Sequence, residues 1–523
     1  MLRVLDECVN VSADFSADPV HDLRVALRRC RSMADGMIAM DPDPRWKAMK
    51  KAGKPLFQQL GALRDVQIMM EWIEKLGLQE MRISVLEDGI GAASLSGSQS
   101  APVSEVPHNP AHGLLRILEA RETELKRDAR VALERFDRKQ WRQLSKSLPA
   151  RTARIRPGSA VFKHLALERW ITARQLHTVA MRNRSQVAFH TLRIGIKRFR
   201  YIVENFLPSE HAAWSDDLKH LQDLLGEVHD LDVLWATATS FHVLPDEAAR
   251  RAWHERITSE RGKRIDEYKQ RTIGAESLWE VWRTGLPQGK QIQDIATRRM
   301  KLWAKALDPD FAHSERVARL SLQLYDGLKG SGVLAKQPQE AASGGDPRSS
   351  LYAAALLHDV GKVKGKKGYH KDSQDLIEKH GAPLGWNKED LRLASLVARF
   401  HAGALPSRSH KALRDLLPEE QRVVISLSAV LRLANALDSV HDGHVRRVKV
   451  ENALAPRGRA NGLLYKSRTL GRQEALVIGA EGFVASSRTA RAVAAERYLL
   501  EMVLRRPIVV KKMNAATSAM SAK

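Results

Sequence analysis

Apolar residues recur at helical spacing through most of the first half of this chain, and they carry charge beside them in a repeated order. Leu23, Val25 and Leu27 lie within His21-Asp-Leu-Arg24-Val-Ala-Leu-Arg28-Arg29-Cys-Arg31. About 170 residues later, Leu192, Ile194 and Ile196 lie within His190-Thr-Leu-Arg193-Ile-Gly-Ile-Lys197-Arg198-Phe-Arg200. Positions i, i+3, i+7 and i+10 share one face of a helix. His21, Arg24, Arg28 and Arg31 therefore form one cationic ladder, and His190, Arg193, Lys197 and Arg200 form another. A Trp46-led segment ending in Leu60-Gly61-Ala-Leu-Arg64-Asp65-Val follows the first ladder, and Trp214 through Leu225-Gly226-Glu-Val-His229-Asp230-Leu follows the second. Helix, turn and second helix are duplicated as one unit.

Further helical patterns cover roughly 113–146, 160–182 and 246–270, and the Ser/Gly-rich segment 92–111 reads as a flexible insertion. The character changes around Gly285-Leu-Pro287-Gln-Gly289. A helix start is expected near Asp308-Pro-Asp310, then a polar loop over 331–350. An apolar helix from Leu351 to His358 is expected to stop at Gly361 as a C-cap. Val445–Val450 and Glu474–Ile478 are short β-like runs, a last helix spans 488–504, and the tail from Lys511 is expected to be disordered. The fold class predicted is mainly α: duplicated antiparallel helical bundles over 1–290 (repeats about 1–150 and 160–285), a helical domain with a small C-terminal β element over 300–510, and a tail over 511–523.

A chain of 523 residues with 43% hydrophobic content is expected to form two or three domains. Its net charge of +24 calls for an anionic partner such as nucleic acid, polyphosphate, nucleotides or an acidic membrane surface. Cys8 and Cys30 are the only cysteines, so neither a disulfide framework nor a thiolate zinc site can be built. Asp6 and Glu7 come too early for a signal-peptide core, and no apolar run reaches the length of a membrane span. A cytoplasmic protein is expected.

Like charges at i, i+4 cost an isolated helix a few tenths of a kcal/mol per pair. A single charge run is commonly a solvated helix face, but duplication with matched spacing points to a polyanion. Lys47, Lys50, Lys51 and Lys54 add a third stripe at i, i+3, i+4 and i+7. Its second-repeat counterpart offers Asp216, Asp217 and only Lys219. Asp65 and Asp230 are expected to hold arginines or cap helices.

The paired His-x-Leu-Arg-[Val/Ile]-x-x-[Arg/Lys]-Arg-x-Arg segments, each followed by an [Arg/His]-Asp helix, resemble the conserved histidine α-helical domain, CHAD, over roughly 1–285. The resemblance implies two helical-bundle halves with basic helices facing a central cavity that binds inorganic polyphosphate. His21, Arg24, Arg28, Arg29, Arg31, Lys47, Lys51, Lys54, His190, Arg193, Lys197, Arg198, Arg200 and Lys219 are the expected contacts. Guanidinium forks suit phosphate oxygens, and a polymer without bases needs no stacking platform. Phe199 and Tyr201 are the only aromatics beside the ladders, so specific nucleic-acid binding is not expected. His229 stands where the first repeat has Arg64, which predicts weaker binding in the second half.

The second half holds His313, His358-Asp359-Val-Gly361-Lys362, Phe400-His401 and Leu431-Arg-Leu-Ala-Asn-Ala-Leu-Asp438 in series. Imidazole and carboxylate together suit Mn, Fe, Co, Ni, Zn or, with more oxygens, Mg. With 19 histidines, one His-Asp dipeptide carries no weight, but four pieces in order do. The series resembles the HD phosphohydrolase superfamily. Over roughly 300–510 it is similar to the C-terminal domain of the exopolyphosphatase/guanosine-pentaphosphatase family, through Ala355-Leu-Leu-His-Asp-Val-Gly, Tyr369-His-Lys-Asp-Ser-Gln-Asp-Leu-Ile377 and Val397-Ala-Arg-Phe-His401. The resemblance implies a divalent-metal site of His313, His358, Asp359 and Asp438, with His401 as a further ligand or phosphate contact. His358, Asp359 and Lys362 would then be catalytic, and Lys364, Lys366 and Lys367 would stabilise phosphate charge.

Asp372 replaces a histidine of the family pattern and Asn435 a common aspartate, and the ATPase-like half of full-length exopolyphosphatases has no counterpart here. The expected function is polyphosphate binding with an attached metal-dependent phosphohydrolase that acts on or senses polyphosphate, with association to polyphosphate granules. The alternatives are a non-catalytic polyphosphate scaffold with a degenerate site, or a phosphohydrolase for guanosine polyphosphates.

Overall fold

The computed structural model describes residues 1–77, 110–244, 246–334, 345–451 and 475–513. These form two compact units, Met1–Gln291 and Ile292 onward. The fold is mainly helical, with one small sheet near the C-terminus. No helix among the described residues is long and apolar enough to cross a membrane. Cys8 and Cys30 are free and buried.

In the first unit the duplicated segments form helices Ala17–Ile38 and Gln186–Phe206, which pack against each other. Gly36 permits the approach: a Cβ there would stand 2.3 Å from the Phe206 ring. Asn205 donates to Ser32 Oγ at 2.8 Å, and Arg29 Nε to Glu204 at 2.9 Å, so the two repeats are pinned along this seam. Leu23, Leu27, Leu192 and Ile196 are buried as their spacing requires. Val25 and Ile194 are only half-buried, and the buried neighbours at their register are Ala26 and Gly195. Small residues are needed there, because a Cβ on Gly195 would meet Leu176 at 2.8 Å.

The second element differs between repeats. The second repeat has one helix, Pro208–Ser240, whereas the first has two, Pro44–Ala52 and Lys54–Lys75. The expected stripe of Lys47, Lys50, Lys51 and Lys54 is therefore not one helix face; it breaks at Gly53. The pattern over 113–146 is likewise two helices, Pro110–Glu134 and Arg138–Ser147, because Asp137 caps the second by accepting from Gln140 N at 2.8 Å. Helices Ala160–Asn183 and Glu247–Thr272 complete the larger elements. The expected flexible insertion falls, apart from its last two residues, outside the described residues.

In the second unit Phe311–Gly330, Pro347–Leu357, Lys388–Arg399 and Pro418–Leu437 enclose a common apolar core. The helix expected from Leu351 starts earlier, at Pro347, since Asp346 accepts from the Arg348 and Ser349 amides. It ends at Leu357, and Gly361 is not its C-cap but lies in the 3-10 turn Val360–Lys364. Gly361 is needed for close approach: a Cβ would stand 2.0 Å from the Tyr369 carbonyl oxygen. The middle of the polar loop expected over 331–350 is outside the described residues.

Strands Arg447–Glu451, Leu476–Glu481 and Ile508–Lys512 form one sheet in chain order, the first pair antiparallel and the second parallel. The third strand corrects the expectation of a disordered tail from Lys511. Lys511 and Lys512 pair with Gly479 and Ala480, and Lys511 reaches Glu451 at 2.7 Å. The tail beyond 513 lies outside the described residues. Helix Arg488–Leu504 packs on Pro418–Leu437.

Candidate functional sites

The basic helices bring their ladders to one place. Arg24 Nη1 donates to the Gly61 carbonyl at 3.2 Å and lies 3.7 Å from Asp65. Arg24 and Arg31 both lie over the Phe57 ring, at 5.6 and 5.2 Å, and Arg28 over Tyr201 at 5.5 Å. Phe57 is thus a further aromatic beside the ladders, correcting the expectation of Phe199 and Tyr201 alone, and its ring and that of Tyr201 support guanidinium planes.

Lys197 is the electrostatic centre of this cluster. Burial first, then the charges of Arg193, Arg28 and Arg24, push its ammonium down to about 7, with only Asp230 opposing them. Burial raises Asp230 to about 6 against the pull of Arg193 and Lys197. Cations from both repeats therefore act on one lysine, and they outweigh the two carboxylates that face the cluster, Asp65 and Asp230. Arg28 Nε, Arg193 Nε and the Tyr201 hydroxyl are buried without a hydrogen-bond partner. Leaving such donors unmade costs about 1–3 kcal/mol each.

His190 and His229 approach each other, Nδ1 to Nδ1, at 3.3 Å. One imidazole must accept, so it is neutral at that nitrogen. Burial and the neighbouring Arg193 hold His229 down at about 4. His21, at the corresponding ladder position of the first repeat, is exposed, and Arg64 is drawn to Glu71 at 2.8 Å. Arg29 is committed to Glu204. Arg31 and Arg200 are half-buried, and Lys47, Lys51, Lys54, Arg198 and Lys219 are exposed.

In the second unit every residue of the His/Asp series stands at a helix end. His313 begins Phe311–Gly330, His358 ends Pro347–Leu357, His401 follows Lys388–Arg399, and Asp438 ends Pro418–Leu437. His313, His358 and Asp359 can each offer a ligand atom within 4.8 Å of the others, and all three are buried.

His358 Nδ1 donates to the Ala355 carbonyl at 2.8 Å, which places a lone pair on Nε2. That Nε2, and Asp359 Oδ1, have no hydrogen-bond partner. Burial alone would raise the Asp359 carboxyl; His358, His401 and Lys362 outweigh it and hold the group at about 2. A buried, ionised oxygen beside a buried imidazole lone pair is the donor set a divalent cation requires. These residues fit a metal.

His401 and Asp438 fall outside that triad, although His401 Nε2 lies 3.7 Å from Asp359 Oδ1. His401 Nδ1 contacts the Ala398 carbonyl at 2.6 Å, and its Nε2 meets the Tyr369 hydroxyl at 3.1 Å. Asp438 Oδ2 takes Arg316 Nε at 2.9 Å and His313 Nδ1 at 2.7 Å, while Oδ1 accepts from the Gly443 amide at 3.1 Å. His313 Nε2 faces Asn435 Oδ1 at 2.9 Å, so a cation drawing on His313 competes with either Asn435 or Asp438.

Several of these residues went unassigned in the sequence. Arg316 lies three positions after His313 and shares its helix face, which is the signal for it. His441, in the left-handed region at φ 61°, stacks on the His313 ring at 3.7 Å between centroids. Arg432 Nη1 holds the Phe400 carbonyl at 3.0 Å, beside His401. Ser373 and Tyr369 lie within a motif already singled out, but nothing local reveals their contacts. Lys362 pairs with Asp359, Lys364 pairs with Asp372 at 2.8 Å, and Lys366 and Lys367 are exposed.

Residues 3–239 match the model of the CHAD domain, and residues 295–463 that of the Ppx/GppA phosphatase, domain III. Both point to polyphosphate-related binding. The chain thus carries a CHAD domain followed by a Ppx/GppA phosphatase domain III.

Proposed function

We propose that the first unit binds inorganic polyphosphate across the paired basic helices, and that the second is an HD-type centre holding one divalent metal and hydrolysing phosphoanhydrides slowly. The observation that carries the reading is the convergence of Arg24, Arg28, Arg193 and Lys197, four cations from both repeats against only Asp65 and Asp230. A cluster that depresses its own lysine gains most from a dense polyanion, whose phosphates restore the charge balance and accept from the guanidinium groups.

His358 Nε2 and Asp359 Oδ1 would hold the metal with His313. When bound, such a metal lowers the pKa of water and polarises a phosphoryl oxygen. Lys362 orients Asp359, and the exposed Lys366 and Lys367 draw in phosphate. The metal is one of Mn, Mg, Fe, Co or Zn, and guanosine polyphosphates are a second substrate class. A cytoplasmic location at polyphosphate granules is part of this reading.

Long-chain polyphosphate should bind the full chain with an affinity that falls steeply with salt, as counterion release requires, and RNA should compete poorly. Equal competition by RNA would overturn the polyphosphate assignment. Phosphate release from polyphosphate and guanosine polyphosphates, assayed with Mn and Mg separately, tests the second unit. Absence of release would leave a scaffold, a reading favoured by the commitment of Asp438 to Arg316.

A further inference from the structure

We propose that Asn435, and not Asp438, completes the donor set of the second unit, its side-chain carbonyl oxygen joining His313, His358 and Asp359 around one divalent cation. The inference rests on the reading of this cluster as a metal centre. It goes further in assigning a fourth ligand and its charge.

The two ring nitrogens of His313 are told apart by what they face. Nδ1 lies 2.7 Å from Asp438 Oδ2, and Asp438 also accepts from Arg316 Nε at 2.9 Å and from the Gly443 amide at 3.1 Å. An ionised carboxylate only accepts, so Nδ1 carries the proton and the neutral ring keeps its lone pair on Nε2. That nitrogen lies 2.9 Å from Asn435 Oδ1. Two acceptors this close repel each other unless a proton or a metal ion stands between them. Ligand atoms each about 2.1 Å from one cation, at right angles, stand about 3.0 Å apart, so this spacing suits two ligands of a single ion.

The neighbouring groups favour the metal. The His358 ring lies 5.5 Å from the His313 ring, and His358 Nε2 and Asp359 Oδ1 are buried with no hydrogen-bond partner. A proton on His313 would satisfy Asn435 and leave both of those atoms unmade, whereas one cation can satisfy all four. A cation drawing on Nε2 then shares the site with Asn435 and leaves Asp438 on Nδ1. Asn435 lies one turn before Asp438, so one end of helix Pro418–Leu437 supplies an oxygen to each nitrogen of His313. Asp438 is balanced by Arg316. Two imidazoles, one carboxylate and one neutral amide suit Mn, Fe, Co or Zn better than Mg, and they bind more weakly than a set with a second carboxylate.

Titration of the full chain with cobalt(II) against a chromogenic chelator reads affinity in wild type, Asn435→Ala and Asn435→Asp. Ligation by Asn435 predicts that alanine weakens binding by about tenfold or more and that aspartate tightens it. Equal or tighter binding by Asn435→Ala would show an amide turned over, its nitrogen blocking Nε2, and overturns the inference. Asn435→Cys reports on the ion itself. A sulfur-to-cobalt charge-transfer band should appear in this variant and not in wild type, whose two cysteines are buried in the first unit. Cobalt bound without that band overturns the inference. Should the alanine and cysteine variants not fold, Asn435→Asp, equal in shape to the native side chain, decides: unchanged affinity overturns the assignment. Failure of wild type to bind cobalt overturns the metal reading itself, and the assignment with it.

Discussion

The Ser373 hydroxyl donates to the His358 carbonyl at 2.6 Å and accepts from the Gly361 amide at 2.9 Å. One buried side chain thus closes the turn that carries His358 and Asp359, linking it to helix Tyr369–His380. Ser373→Ala leaves both backbone groups unmade in the interior, a cost of about 1–3 kcal/mol. A lower thermal midpoint and reduced metal content are expected together. Gly361→Ala should be worse, because its Cβ would overlap the Tyr369 carbonyl.

Replacing Arg24, Arg28, Arg193 and Arg200 together by alanine should abolish polyphosphate binding, measured by calorimetry at low salt. Like-charge repulsion is relieved, but Arg24 also holds Gly61 and Asp65. The thermal midpoint without ligand is therefore expected to stay level. Retained affinity in the quadruple variant would sink the role of the ladders.

Lys197→Met should stabilise the unliganded protein. The folded amine sits at about 7, below its unfolded value near 10.4, so its charge is resisted most fully at and below pH 7. The gain is on the order of 2 kcal/mol there and shrinks as pH rises towards 10. Chemical denaturation at pH 7 and pH 10 distinguishes this from a simple packing effect, which would not change with pH.

Asp359→Asn removes an ionised oxygen held at about 2 and should lower bound divalent metal, read by elemental analysis. The same metal content in wild type and variant would rule out the triad as the metal site.

Acid should weaken the fold below pH 6.5, with three imidazoles outweighing the opposing effect of Asp230, whose carboxyl burial raises to about 6. Burial holds His177 and His229 at about 4 and His401 at about 3, while their unfolded counterparts titrate near 6.5. Below pH 6.5 the unfolded chain binds more protons, so stability falls as pH drops through that window. Unfolding free energy from urea titration at pH 7 and pH 5 checks the sign. Equal values would show that these imidazoles are not held neutral.

The ladders were legible in the sequence because helical faces are set by local periodicity: positions three, seven and ten apart must align whatever the helix packs against. The order of His313, His358-Asp359, His401 and Asp438 was legible for a similar reason, as each residue closes or opens an apolar helix. Tertiary structure decided which ladder residues meet. Arg24, Arg28, Arg193 and Lys197 converge only because Gly36 admits Phe206 and lets the two basic helices pack, while Arg29 is diverted to Glu204. It also decided that Ser373 braces the His358 turn, that Arg316 neutralises Asp438, and that Lys511 extends a parallel strand. Burial and the Coulomb field at a side chain depend on every element packed around it, so no local pattern encodes that burial and three arginines push the Lys197 ammonium down.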